Sequence, residues 1–185
     1  MAGGCSFWEA GANNKFQLQT LPMTPERQNR PRTPVPYLTS DFHLTQAQFS
    51  PDGHWVAYVS DESGKDEVYV QPFPLEAGKG RWTLSNGGGV MPRWRRDGRE
   101  LFYVSSGPGG GIMAVDVAYS PSFRTSVPKA IIHPDSFSLV PDGFTWDVTA
   151  DGKRFLVTTT ASTPEAGGPR SPLTVVLNWP ALLKK

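Results

Sequence analysis

Three stretches of the chain share one order of hydrophobic and polar positions. Phe49-Ser50-Pro51-Asp52-Gly53 leads into Trp55-Val56-Ala57-Tyr58-Val59-Ser60, and Trp94-Arg95-Arg96-Asp97-Gly98 leads into Leu101-Phe102-Tyr103-Val104-Ser105. Val148-Thr149-Ala150-Asp151-Gly152 leads in the same way into Phe155-Leu156-Val157. Each copy predicts a short strand, a tight turn and a second strand. Glycine supplies the positive φ of the turn, and the aspartate side chain bonds backbone amides within it. The Asp-Gly pairs lie 45 and 54 residues apart, close to the roughly 40–50 residues of a four-stranded propeller blade. The second interval reads as a blade carrying an insertion.

The strand after each turn is apolar on both parities. Val56 and Tyr58 oppose Trp55, Ala57 and Val59, and Leu101 and Tyr103 oppose Phe102 and Val104. A strand with two dry faces lies between two other layers, which is the position of an inner propeller strand. Third strands are predicted at Glu67 to Gln71, Ile112 to Val117 and Leu173 to Trp179. More polar fourth strands are predicted at Arg81 to Leu84 and Lys129 to Ile132. Upstream, Lys15 to Leu21 and Pro36 to Thr39 read as weak strands around a Pro- and Arg-rich loop, Pro22 to Pro34. No Asp-Gly pair lies one period before Asp52, so this first blade is expected to lack its inner hairpin. The fold expected is all-β: a partial β-propeller of about three and a half four-stranded antiparallel blades. Its units are an N-terminal segment over 1–44, blades over 45–89 and 90–143, and a C-terminal blade over 144–185 that lacks its outer strand.

Composition agrees with a chain that turns often. Its 185 residues include 19 glycines, 18 prolines and six tryptophans. That suits many short strands carrying bulky apolar side chains. Eighteen basic residues nearly balance 17 acidic ones, which argues against a protein whose main partner is a nucleic-acid backbone or an anionic membrane. Cys5 is the single cysteine, so the chain forms no internal disulfide and no cysteine-rich zinc site. The longest apolar run, Trp55 to Val59, is far short of the roughly 20 residues that span a bilayer. Ala2-Gly3-Gly4-Cys5 has the order of a lipoprotein cleavage site without the apolar stretch before it, so no signal peptide is read.

The segments around Asp52, Asp97 and Asp151 resemble the TolB-like β-propeller repeat, a relative of the WD-repeat propellers. The resemblance covers roughly residues 45–180. Ser60 to Gly64, Asp66 to Val70, Pro92 to Tyr103 and Val175 to Trp179 resemble the C-terminal propellers of bacterial membrane-anchored serine/threonine kinases. That resemblance implies an extracytoplasmic or periplasmic sensing or docking module belonging to a larger signalling protein. The kinase motifs themselves are missing. Gly107-Pro108-Gly109-Gly110-Gly111 precedes a strand and lacks the Lys-Ser/Thr ending of a phosphate cradle. Pro141-Asp142-Gly143-Phe144 reads as a turn.

Few residues suggest catalysis. His43, His54 and His133 lie far apart, and no Gly-x-Ser-x-Gly elbow is present. Asp61-Glu62-Ser63-Gly64-Lys65-Asp66-Glu67 is acidic, but its glycine is misplaced for a calcium loop; it reads as a solvated hairpin loop. In a blade this loop lies at the same end as the Ser85-Asn86-Gly87-Gly88-Gly89 connection. Asp61, Glu62, Lys65, Asp66 and Asn86 are therefore the candidate interaction residues. Arg93, Arg95, Arg96 and Arg99 around Trp94 would suit single-stranded nucleic acid. Strand alternation instead sends Trp94 into the core and the arginines toward carboxylates of a neighbouring blade. On the predicted inner strands only Asp147 offers a carboxylate, and acid–base catalysis needs two groups.

The function expected is non-catalytic, with no cofactor or metal: protein–protein interaction or ligand sensing, with self-association through exposed blade faces. The alternatives are part of a propeller-type hydrolase, or a single-stranded nucleic-acid binder acting through Arg93 to Arg99.

Overall fold

The computed structural model describes residues 6–10, 15–22, 33–75, 80–107, 110–120, 122–132 and 146–158, with side chains from 15 onward. Among them there is no helix, and so none long and apolar enough to cross a membrane. Within the described residues, fourteen strands form four antiparallel sheets. The first contains β1 (Ser6–Ala10), β2 (Phe16–Thr20) and β3 (Val35–Leu38). The second contains β4 (Leu44–Phe49), β5 (Trp55–Ser60), β6 (Glu67–Pro72) and β7 (Trp82–Thr83) in sequence order. The third contains β8 (Val90–Trp94), β9 (Glu100–Ser105), β10 (Gly111–Ala118), β11 (Arg124–Thr125) and β12 (Lys129–Ile132). The fourth pairs β13 (Trp146–Val148) with β14 (Phe155–Val157).

Two details depart from the sequence reading. The first sheet has an additional strand, β1, paired with β2 from Ser6↔Thr20 to Ala10↔Phe16. It lies ahead of any Asp-Gly signal. The outer strand of the third sheet comes in two pieces. β11 pairs with Val117 and Ala118, while β12 pairs with Ile112 to Ala114. Pro128 separates the pieces, and a proline without an amide donor is confined to such an edge. The strand expected at Leu173 to Trp179 lies outside the described residues.

The two-faced packing is realised side chain by side chain. Val56, Tyr58 and Tyr69 join Leu18, Leu44 and Ala47 in a core between the first and second sheets. Ala57, Val59, Val68 and Val70 turn the other way, meeting Leu101, Tyr103, Val115 and Val117 of the third sheet. Phe102, Val104, Ile112 and Ala114 then pack with Trp146, and with Phe155 and Val157, toward the fourth. Each such buried Val, Leu, Ile or Phe side chain contributes about 1.5–3 kcal/mol, so the sheets are held mainly by contacts between neighbours. Leu156, with parity opposite to Phe155 and Val157, points away from the third sheet and is 74% exposed.

The three Asp-Gly turns share their bonding. Gly53, Gly98 and Gly152 have φ of 74°, 73° and 73°. Their amides donate to Ser50, Arg95 and Thr149 carbonyls at 2.9, 2.9 and 2.8 Å. The Asp52, Asp97 and Asp151 Oδ1 atoms accept the amides of His54, Arg99 and Lys153 at 3.1, 3.0 and 3.1 Å. Successive turns touch. Arg96 N donates to Ala150 O at 3.3 Å, and a Cβ on Gly98 would stand 3.8 Å from Pro51.

Candidate interaction surface and hub

At the end opposite these turns, the loop between β5 and β6 meets the connection from β7 to β8. Gly89 N donates to Asp66 O at 2.8 Å. Glu67, 4% exposed, fastens the rest. Its Oε1 accepts Gly87 N at 3.1 Å and Gly88 N at 3.0 Å, and its Oε2 accepts the Ser85 hydroxyl. Ser85 Oγ accepts Val68 N at 2.7 Å in turn. A buried carboxylate is retained at small cost when its oxygens are bonded in this way. Burial, and then the Glu67 charge, push the Tyr103 hydroxyl up to about 12. The next strand connection abuts the same place, since a Cβ on Gly107 would come within 2.7 Å of Gly87 O.

The candidate residues divide in two on this scaffold. Asp61 and Glu62 already serve the fold. Asp61 Oδ1 accepts His43 N at 2.8 Å and its Oδ2 lies 4.0 Å from Lys15 Nζ. Glu62 pairs with Arg81, whose guanidinium also lies over the Tyr69 ring at 4.9 Å. Lys65, Asp66 and Asn86 are exposed, with Lys65 Nζ 3.5 Å from Glu67. Although the Asp66 side chain reaches solvent, partial desolvation in the loop, and then the nearby Asp61 charge, hold its carboxyl above its ordinary value. Reading along the chain does not single out Glu67, because its charge stands in what reads as a solvated run. Its place at the first position of an otherwise apolar strand is the one signal that sets it apart.

The hub is built from β4 and β8, which lie side by side. Both carry an irregularity, between Thr45 and Gln48 and between Val90 and Arg93. In each the chain passes through the left-handed region at a residue other than glycine, Gln46 at φ 53° and Met91 at φ 56°. These two residues are one 45-residue period apart. Nothing in their side chains announces the conformation.

Asp147 and Arg93 meet at the next step around the hub, Arg93 Nε lying 3.7 Å from Asp147 Oδ1. The arginine side chain is 13% exposed and the aspartate 70%. Burial pulls the Arg93 guanidinium below the usual arginine value, against the opposing pull of Asp147. Arg93 thus meets a carboxylate of the neighbouring sheet, as alternation suggested. Arg95 does not. Its Nε bonds Asp97 at 2.8 Å and its Nη1 bonds Glu100 at 2.6 Å, both within its own sheet. Trp94 packs between the second and third sheets and its Nε1 donates to Gln48 O at 3.3 Å. The indole is therefore not an open stacking platform. His43 and His54 sit in separate loops, and His133 lies outside the described residues. Among the described residues no three His, Cys, Asp or Glu side chains gather as a metal site.

Repeated antiparallel sheets, stacked face to face with their first strands at a common hub, define a partial β-propeller that is all-β across the described residues. Solved structures similar to it include TolB from Acinetobacter baumannii, at 15% identity and a TM-score of 0.48, over 87% of this chain and 47% of that one. A protein assigned as TolB from Agrobacterium tumefaciens is similar at 12% identity and a TM-score of 0.46, over 72% and 52% of the two chains. A protein assigned as a 6-phosphogluconolactonase from Bacteroides uniformis is similar at 15% and 0.46, over 85% and 56%. The chain thus spans about half the length of these structures. No family model and no curated protein matches it.

Proposed function

We propose that this chain is a non-catalytic propeller module that binds a protein partner or senses a ligand through the end bearing Lys65, Asp66 and Asn86. The supporting observation is the Glu67 clasp. By fixing Ser85, Gly87 and Gly88 against the β5–β6 loop, it holds the exposed side chains in one arrangement before any partner arrives. Pre-organisation of this kind lowers the ordering cost of binding. The resemblance of the repeat to kinase-linked propellers favours a sensor region of a larger bacterial signalling protein. The exposed Leu156, on the side of the fourth sheet turned away from the third, favours association with a second copy.

The test compares the wild-type chain with the Asp66→Lys/Asn86→Lys double variant as immobilised baits in an extract of the cells that make it. The expected result is a protein retained by the wild type and lost from the variant. Light scattering on the purified chain reads self-association, which Leu156→Lys is expected to weaken. Turnover of ester or lactone substrates that disappears in Asp147→Asn would overturn the non-catalytic reading in favour of a hydrolase.

A further inference from the structure

His43 stands in the link between β3 and β4, where the first sheet meets the second. Its ring Nδ1 accepts the backbone amide of Phe16, the first residue of β2, at 3.3 Å. The ring also packs on the Phe16 ring, with centroids 5.2 Å apart and planes inclined at 47°. Its own backbone amide is held by Asp61 Oδ1 at 2.8 Å. Nδ1 accepts a hydrogen bond only when it carries no proton, so this geometry requires the neutral tautomer with hydrogen on Nε2.

The charged groups near His43, in the fold or along the chain, come from three elements. Asp61 and Asp66 belong to the β5–β6 loop, Lys15 precedes Phe16 and pairs with Asp61 at 4.0 Å, and Asp41 lies on the link itself. Asp66 is close enough to His43 for the two to interact electrostatically.

We propose that His43 is a pH-sensitive latch between the first two sheets. In its neutral form it holds the start of β2 by the Phe16 amide; once protonated, it releases that amide and turns to the Asp61 and Asp66 carboxylates. A proton on Nδ1 sets two donors against each other, N–H facing N–H, so the old contact becomes repulsive. The same proton makes the ring a cation that can pair with the Asp61 and Asp66 carboxylates of the β5–β6 loop. The Phe16 bond is therefore present while the ring is neutral and lost once Nδ1 carries a proton. The rest of the first sheet stays attached through Leu18 and the Gln17–Ser40 bonds, so the change is confined to one end of β2. The latch does not depend on the loop binding any partner.

Two measurements on the full chain test it. Long-range nitrogen–proton spectra at about pH 7.5 are expected to show His43 Nδ1 unprotonated. Protection of the Phe16 amide against hydrogen exchange, corrected for intrinsic rates, is expected to fall about tenfold between pH ~7.5 and ~5. In His43→Asn, whose Oδ1 keeps an acceptor that does not titrate, that protection is expected to be independent of pH. A proton on Nδ1 at the higher pH, or the same loss of protection in both proteins, would overturn the proposal. The tautomer measurement uses the wild type alone and decides the matter even if the variant does not fold.

Discussion

Met91 N donates to Gln46 Oε1 at 2.6 Å, joining two residues that occupy the same position in consecutive repeats and that both hold a left-handed backbone. Such a conformation costs a non-glycine residue about 1–2 kcal/mol, so the surroundings must over-determine it. The bond between them is part of that surrounding. It also ties the innermost strand of one sheet to that of the next, at the point where both strands are irregular.

Gln46→Ala removes this bond and keeps the left-handed cost. The expected loss is about 1–2 kcal/mol in urea unfolding. A variant as stable as wild type would show that the inter-sheet bond contributes nothing.

The three turn glycines share a φ but differ in their surroundings, so alanine substitution is expected to separate them. At Gly53 a Cβ meets open space, and only the left-handed backbone cost of about 1–2 kcal/mol applies. At Gly98 it would stand 3.1 Å from the Tyr119 hydroxyl, which itself donates to Gly98 O at 2.6 Å. At Gly152 it would stand 2.8 Å from Arg95 Cδ and 3.2 Å from Phe102 Cζ. Thermal unfolding should rank the losses in that order, Gly152→Ala the largest. Equal losses would mean that contact between neighbouring turns carries no weight.

Glu67→Gln preserves shape, and its amide oxygen still accepts the Gly87 and Gly88 amides. Its new NH2 group, however, faces the Ser85 hydroxyl, which already receives Val68 N and must itself donate. A loss of about 1–3 kcal/mol is expected, together with faster hydrogen exchange at Gly87 and Gly88. Unchanged exchange at both amides would remove the clasp from the account of this surface.

Asp97 is held below the usual carboxylate range, first by its bond from Arg95 and then by the Arg99 amide. A carboxylate whose folded value is depressed stabilises the protein above its unfolded value of ~3.9 and loses that contribution as pH falls through the folded one. The pair is exposed, so the effect on stability is small. Carbon-detected titration should place Asp97 below an ordinary aspartate, and Arg95→Met should move it upward. Asp66 carries the opposite shift and should titrate above an ordinary aspartate. The same value for both would contradict the two environments.

The arginine run shows where reading along the chain succeeds and where it stops. Alternation assigns Trp94 to one face and Arg93 to the other, because side chains of a strand point to opposite sides whatever surrounds them. It does not reveal that Arg95 already lies in the Asp97 turn, where a guanidinium takes the place that hydroxyls hold at Ser50 and Thr149. Glu67 is the same lesson in reverse. Its neighbours in sequence are charged and exposed, while its partners, Ser85, Gly87 and Gly88, lie some twenty residues away.

The sequence by itself determined the repeat, the turns and the two dry faces of the inner strands, because each follows from local backbone geometry and the two-residue period of a strand. Only the tertiary structure decided which carboxylates are buried or paired, where β4 and β8 become irregular, and that His43 meets Phe16. Those features depend on residues brought together from different repeats, and no local pattern encodes such a meeting.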